Sequence, residues 1–178
     1  GSSVTVTQRG LSAYVESDAT GKPIRVNLPY LPDDASEELC VAIQGFLDHE
    51  VAHILFTDFK VMGEANAHGC HSMVNLLEDT RIEREMSKRF TGSASNLAST
   101  GEFFLKKFIE PKLAKLKAGD PARQKILMTP MMRALSGQAV FIDFMKGEHE
   151  DIMRPFVDMI DDLVPQITSL KSTKECLE

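Results

Sequence analysis

The residues best suited to chemistry stand in one short string, DHEVAHILFTDF at positions 48–59, where His49 and His53 lie four apart with Glu50 between them. On a helix, positions i and i+4 share a face, so both imidazoles can be aimed at a single ion. Glu50 falls about 100 degrees around the helix from His49, where a carboxylate can reach a metal-bound water without being a ligand. The pattern is H-E-x-x-H. In a zinc site of this kind the metal lowers the pKa of its bound water toward about 7, and Glu50 takes the proton as general base while hydroxide attacks a carbonyl. The plainer reading is a hydrogen-bonded pair of helix histidines. The setting favours the metal, because the motif sits inside the apolar stripe of Leu47, Val51, Ile54 and Leu55 and follows predicted strands.

A catalytic zinc takes three protein ligands and keeps one position open. Glu78 is the expected third ligand, because a helix, a turn and an antiparallel helix would bring its carboxylate back over the histidine pair. Asp79 competes with it, since a shift of one residue in helical phase exchanges their faces, and an exposed acidic helix face is the bland reading of both. His71 shares a face with Asn75 and Glu78 and is open to three roles: third ligand, proton donor to an oxyanion or leaving group, or helix cap. The catalytic assignment is therefore Glu50 with His71, and the metal assignment is His49, His53 and Glu78. Cys70 could add a soft fourth ligand and close the site. Asp58 or Asp79 could orient an imidazole through its second nitrogen, as metal sites usually require. His68 reads as loop surface and His149 as solvated.

The elements that must hold these residues follow from periodicity and punctuation. Residues 4–31 read as two or three short strands, VTVTQ, SAYVES and PIRVNLPYL, separated by Arg9-Gly10 and by Asp18 to Pro23. Helical spacing begins after Pro32, with Asp34 as N-cap and Glu37 three residues on, and predicts a helix over about 35–57. KVMGEANAHGCHS reads as loop or as a loop leading into a helix, a second helix spans about 70–90, and the small polar string TGSASNLASTG at 91–101 reads as loop. Helices are predicted over about 102–118, 121–146 and 148–172, the last interrupted by Pro155 and Pro165. The methionines of ILMTPMMRAL read as core filler.

At 178 residues the chain is long enough to bury a real core. Three scattered cysteines without C-x-x-C spacing argue against a disulfide framework or a cysteine-rich zinc knuckle and favour a reducing, cytoplasmic setting. The net charge of -6 argues against a general nucleic-acid binder. No apolar run approaches the roughly 20 residues that span a bilayer. Gly1, Ser2 and Ser3 read as a cloning remnant.

The strings LDHEVAHILFTDF, NLLEDTRIEREM and FTGSASNLAS together resemble the metallopeptidase-like, gluzincin-like N-terminal region of phage and bacterial proteins similar to the CobT-type subunit of cobaltochelatase. The resemblance covers about residues 24–100 well and the helical remainder loosely. It implies His49 and His53 as ligands, Glu50 as general base and Glu78 as third ligand. It also implies a von Willebrand factor A domain, of which no D-x-S-x-S string appears here, and work beside an AAA+ ATPase.

The expected molecule is mainly helical with a small N-terminal sheet (α+β), zincin-like, with a metal-binding core over 4–100 and a helical part over 101–178 packing on it. The expected function is zinc-dependent hydrolysis of a peptide or protein substrate, with PIRVNLPYL as the edge strand that holds the peptide. The competing expectation is a non-catalytic zinc-binding scaffold in a CobT-like complex with a von Willebrand factor A domain or an AAA+ ATPase.

Overall fold

The computed structural model describes residues 3–178; Gly1 and Ser2, two of the three residues read as a cloning remnant, lie outside them. The chain is mainly helical with one small N-terminal sheet, as expected. Strands β1 (Thr5–Gln8), β2 (Tyr14–Ser17) and β3 (Pro23–Leu28) stand in the order β1-β3-β2, with β3 parallel to β1 and antiparallel to β2. Buried Asn27 holds the connection between the outer strands, because its Nδ2 donates to the carbonyls of Arg9 and Ser12 while its Oδ1 accepts from Thr7. The expectation that PIRVNLPYL forms an open edge is corrected here. Its strand is the central one, with ladder hydrogen bonds on both sides, so no backbone edge is left for an added peptide.

Contacts divide the chain into two units, one reaching Thr100 and taking in Lys171–Glu178, the other Gly101–Leu170. In the first, α1 (Glu37–Phe56) starts at Ser36, whose side chain accepts from the Leu39 N–H; the cap is therefore Ser36 and not Asp34. By length and composition alone α1 could cross a membrane, a test that the core helix of a soluble protein also passes. Helix α2 (Phe59–Ala67) replaces the expected loop, capped by Asp58 and anchored by buried Met62 and Ala65. Helix α3 (His71–Arg89) packs along α1, and between them Ala52, Ile82 and Met86 are buried against Val51, Phe56 and Leu97. The short α10 (Thr173–Leu177) belongs to the same unit.

The string expected as a loop at 91–101 is helical too, within α4 (Thr91–Phe104). Its residues are small because α1 passes very close. A Cβ built on Gly45 would run into the Thr100 hydroxyl and the Asn96 carbonyl, and Thr100 Oγ1 donates to the Ala42 carbonyl across the contact. Packing thus overrides the weak helix propensity of Ser, Asn and Gly.

In the second unit a π-turn (Leu105–Ile109) leads into α5 (Glu110–Leu113), followed by α6 (Ala122–Leu135), α7 (Ala139–Met145), α8 (Glu148–Met159), a 3-10 turn (Asp161–Leu163) and α9 (Val164–Ser169). The helix expected over 121–146 breaks at Gly137, whose φ of +93° ends α6 in the left-handed conformation that favours glycine. Pro155 lies inside α8 without ending it, and Pro165 sits in the first turn of α9, where its missing N–H is not needed. Met131, Met145 and Met153 fill the core of this unit with Leu127 and Phe141. His149, expected in solvent, is half-buried with its ring 4.8 Å from that of Phe144.

Two glycines in helices are expected to respond oppositely to alanine. Gly45→Ala should lower stability by about 1–3 kcal/mol by overpacking the α1–α4 contact. Gly63→Ala, at a mid-helix position with open space, should raise it by about 0.5–1 kcal/mol. Thermal melts of both variants read the difference.

Candidate metal centre

Helix α1 presents His49 and His53 on one face, and α3 answers with Asp79 and Glu83, also four apart and therefore also on one face. The helices meet along these two pairs. His49 Nδ1 lies 2.7 Å from Glu83 Oε1, so the ring donates its Nδ1–H there and turns Nε2 inward. His53 Nδ1 lies 2.9 Å from Thr57 Oγ1. Thr57 spends its one proton on Glu78 Oε1 at 2.7 Å, so its hydroxyl accepts from His53 and leaves the Nε2 of that ring free as well. The rings stand nearly perpendicular, 4.8 Å apart. Asp79 Oδ1 completes the group at 3.3 Å from His53 Nε2 and 3.8 Å from His49 Nε2, steadied by the Asn75 amide at 3.3 Å. One ligand atom from each of His49, His53 and Asp79 lies within 4.8 Å of the others.

This donor set suits a cation. Two ring nitrogens and a carboxylate oxygen, all electron-rich, converge on one point, while both Nδ1–H groups are engaged elsewhere, as metal-ligating imidazoles are. Burial alone would push the His49 pKa down, but the hydrogen bond to Glu83 and the charges of Asp79, Glu83 and Glu50 raise it to about 9. Two nitrogens and one oxygen match Zn2+ and other divalent first-row ions.

Glu78 is not brought to the histidines. Its fully buried carboxylate is held by Arg81, with Nε 2.8 Å from Oε2 and a second nitrogen 2.6 Å from Oε1, and by the hydroxyls of Thr57 and Thr173. Burial acts to raise its pKa, but the bonds to Arg81, Thr57 and Thr173 hold it below the usual value. The one-residue step in helical phase thus separates them, with Asp79 facing the two histidines and Glu78 bracing His53 through Thr57. Glu50 is 4% exposed and lines a cavity of about 280 Å3 beside the histidines, together with Thr57, His71, Asn75 and Tyr14 and Val15 of β2. Burial pushes its pKa up, against the pull of His49 and His53. His71, at the start of α3, is exposed on the cavity wall and does not join the ligand cluster. Cys70 does not join it either; its thiol reaches the Ala65 carbonyl. Asp58 caps α2 instead of orienting an imidazole.

Glu83, Thr57 and Thr173 were not among the residues expected at the site. Glu83 had a signal, the four-residue spacing from Asp79 that mirrors the histidines. Thr57 had a weaker one, standing one turn after His53. Thr173 had none.

The family described as cobalamin biosynthesis protein CobT matches residues 4–159, and the chain belongs to that family. No curated protein and no solved structure matches the chain. Membership overturns the expectation of a zinc-dependent metallopeptidase: the family is one of cobalamin biosynthesis, related to cobaltochelatase and not to hydrolases, so H-E-x-x-H here does not mark peptide-bond hydrolysis. The motif still provides the two imidazoles.

The separate roles of the adjacent carboxylates have separate readouts. Glu78→Gln should cost about 3–5 kcal/mol of stability by leaving Arg81 uncompensated in the interior. Asp79→Asn should cost much less and act on metal binding instead. Chemical denaturation of the two metal-free variants, with the wild type alongside, checks this.

Proposed function

We infer, for a chain of the CobT family, a non-hydrolytic role as the metal-holding domain of a subunit in a cobaltochelatase-like complex. The observation that supports it most is the convergence of His49 Nε2, His53 Nε2 and Asp79 Oδ1, each backed by a second hydrogen bond. His49, His53 and Asp79 would be the ligands, with Glu83 and Thr57 fixing the rings. Zinc and cobalt(II) suit such a set alike. A bound ion supplies a fixed positive charge that ties α1 to α3 and one or more open positions for a small ligand. The adjoining cavity, at about 280 Å3, lies at the low end of the roughly 300–1,000 Å3 typical of drug-sized ligands, so a corrin-sized macrocycle would have to meet this domain at its surface.

The partners that go with this role are a von Willebrand factor A domain and an AAA+ ATPase, as in the CobT-type cobaltochelatase subunits that the chain resembles, working in the cytoplasm. Glu50 and His71 then serve as polar wall groups of the metal cavity, with no proton shuttled to a scissile bond.

Metal titration tests the proposal. Protein stripped with a chelator should take up one equivalent of zinc or cobalt(II), and His49→Ala, His53→Ala and Asp79→Ala should each lose it. Failure of the wild type to bind one equivalent, or equal binding by all three variants, would overturn it.

A further inference from the structure

The segment Lys171–Glu178 reaches the hydrogen-bond network behind His53 at several points. Thr173, 3% exposed at the first position of α10, donates from Oγ1 to Glu78 Oε1 at 2.9 Å and accepts the Asp58 N–H at 2.8 Å. Cys176 Sγ lies 3.5 Å from Glu78 Oε2, and Arg81 donates to the Lys171 carbonyl at 3.4 Å. Glu78 in turn receives the Thr57 hydroxyl, and Thr57 faces His53 Nδ1. The direction of every bond is determined. Glu78, ion-paired with Arg81, can only accept; both threonines must therefore donate to it; and Thr57, its proton spent, must accept from the imidazole.

We propose that Thr173 and Thr57 are positioning residues for the metal ligand His53, and that Lys171–Glu178 acts as a strap whose docking sets how tightly the metal is held. The relay Thr173–Glu78–Thr57–His53 engages the Nδ1 side of the ring and leaves Nε2 pointed at the site. Without Thr173, Glu78 loses one of the donors that orient Oε1 and the hydroxyl of Thr57 is free to turn. Without Thr57, the ring loses the acceptor that selects its tautomer. Such outer partners commonly change metal affinity by about 10–100-fold. Coupling is reciprocal by thermodynamic necessity, so a metal that is held better with the strap docked must also hold the strap better.

The proposal rests on the metal reading above, and the experiment separates the two. Zinc affinity is measured by competition with a chromophoric chelator for wild type, Thr57→Val, Thr57→Ser, Thr173→Val and Thr173→Ser. Both valine variants should bind about 10–100-fold more weakly and both serine variants should recover most of the loss, because serine restores the hydroxyl. Amide hydrogen exchange in the unmodified protein supplies a second readout that does not depend on any variant folding. Zinc should slow exchange of the Cys176 and Glu178 amides by a similar factor, while amides of β1 stay unchanged. Wild-type affinity in both valine variants, or no protection of α10 on adding zinc, would overturn the strap and leave the metal site standing. A wild type that binds no zinc would overturn both.

Discussion

Two short rows of side chains, His49 with His53 on α1 and Asp79 with Glu83 on α3, meet across one helix–helix contact, and the remainder of the first unit is arranged to keep them there. Ala52 and Ile82 are fully buried at that contact, so the helices approach closely over a dry floor. Gly45 allows α4 to lie against the other side of α1. A pair of i,i+4 spacings set face to face needs no loop to build a site, only two helices held at one rotation. Helices are stiff, and this makes the donor atoms well placed before any ligand arrives.

The carboxylates gathered around the two imidazoles suit a cation. Asp79, Glu83 and Glu50 all act on His49, Asp79 also faces His53, and Glu78, one residue along from Asp79, is paired with Arg81. The Arg81 guanidinium is directed at Glu78 and at the carbonyls of Phe56 and Lys171. A proton on His49 meets part of the demand, and a divalent ion would meet more of it. Cys176, although close, is a poor alternative ligand, since burial and the neighbouring Glu78 push its thiol pKa up to about 12.

How much of this could be read from the chain depended on how local each cause was. The strands, α1 and α3 followed from period and punctuation, and His49 and His53 followed from spacing alone. Asp79 against Glu78 could not be resolved that way, because their difference is a single 100-degree step in the rotation of α3, and that rotation is set by contacts of Ile82 and Met86 with α1. Helix α4 was hidden for a similar reason: small polar residues resemble a loop until the close passage of α1 is known. The identity of the chemistry is not carried by spacing at all. H-E-x-x-H specifies two imidazoles and a nearby carboxylate but not the reaction they serve, and family membership, not the motif, decides against hydrolysis.

We propose that α1 and α3 hold one ion between His49, His53 and Asp79. Anomalous diffraction at the metal absorption edge from crystals of the zinc- or cobalt-loaded protein tests it most directly. A single strong peak is expected about 2.0–2.2 Å from both Nε2 atoms and from a carboxylate oxygen of Asp79, with Glu78 still bound to Arg81. A peak on Glu78, or density that shows the two histidines bonded to each other's neighbours with no metal between them, would contradict it.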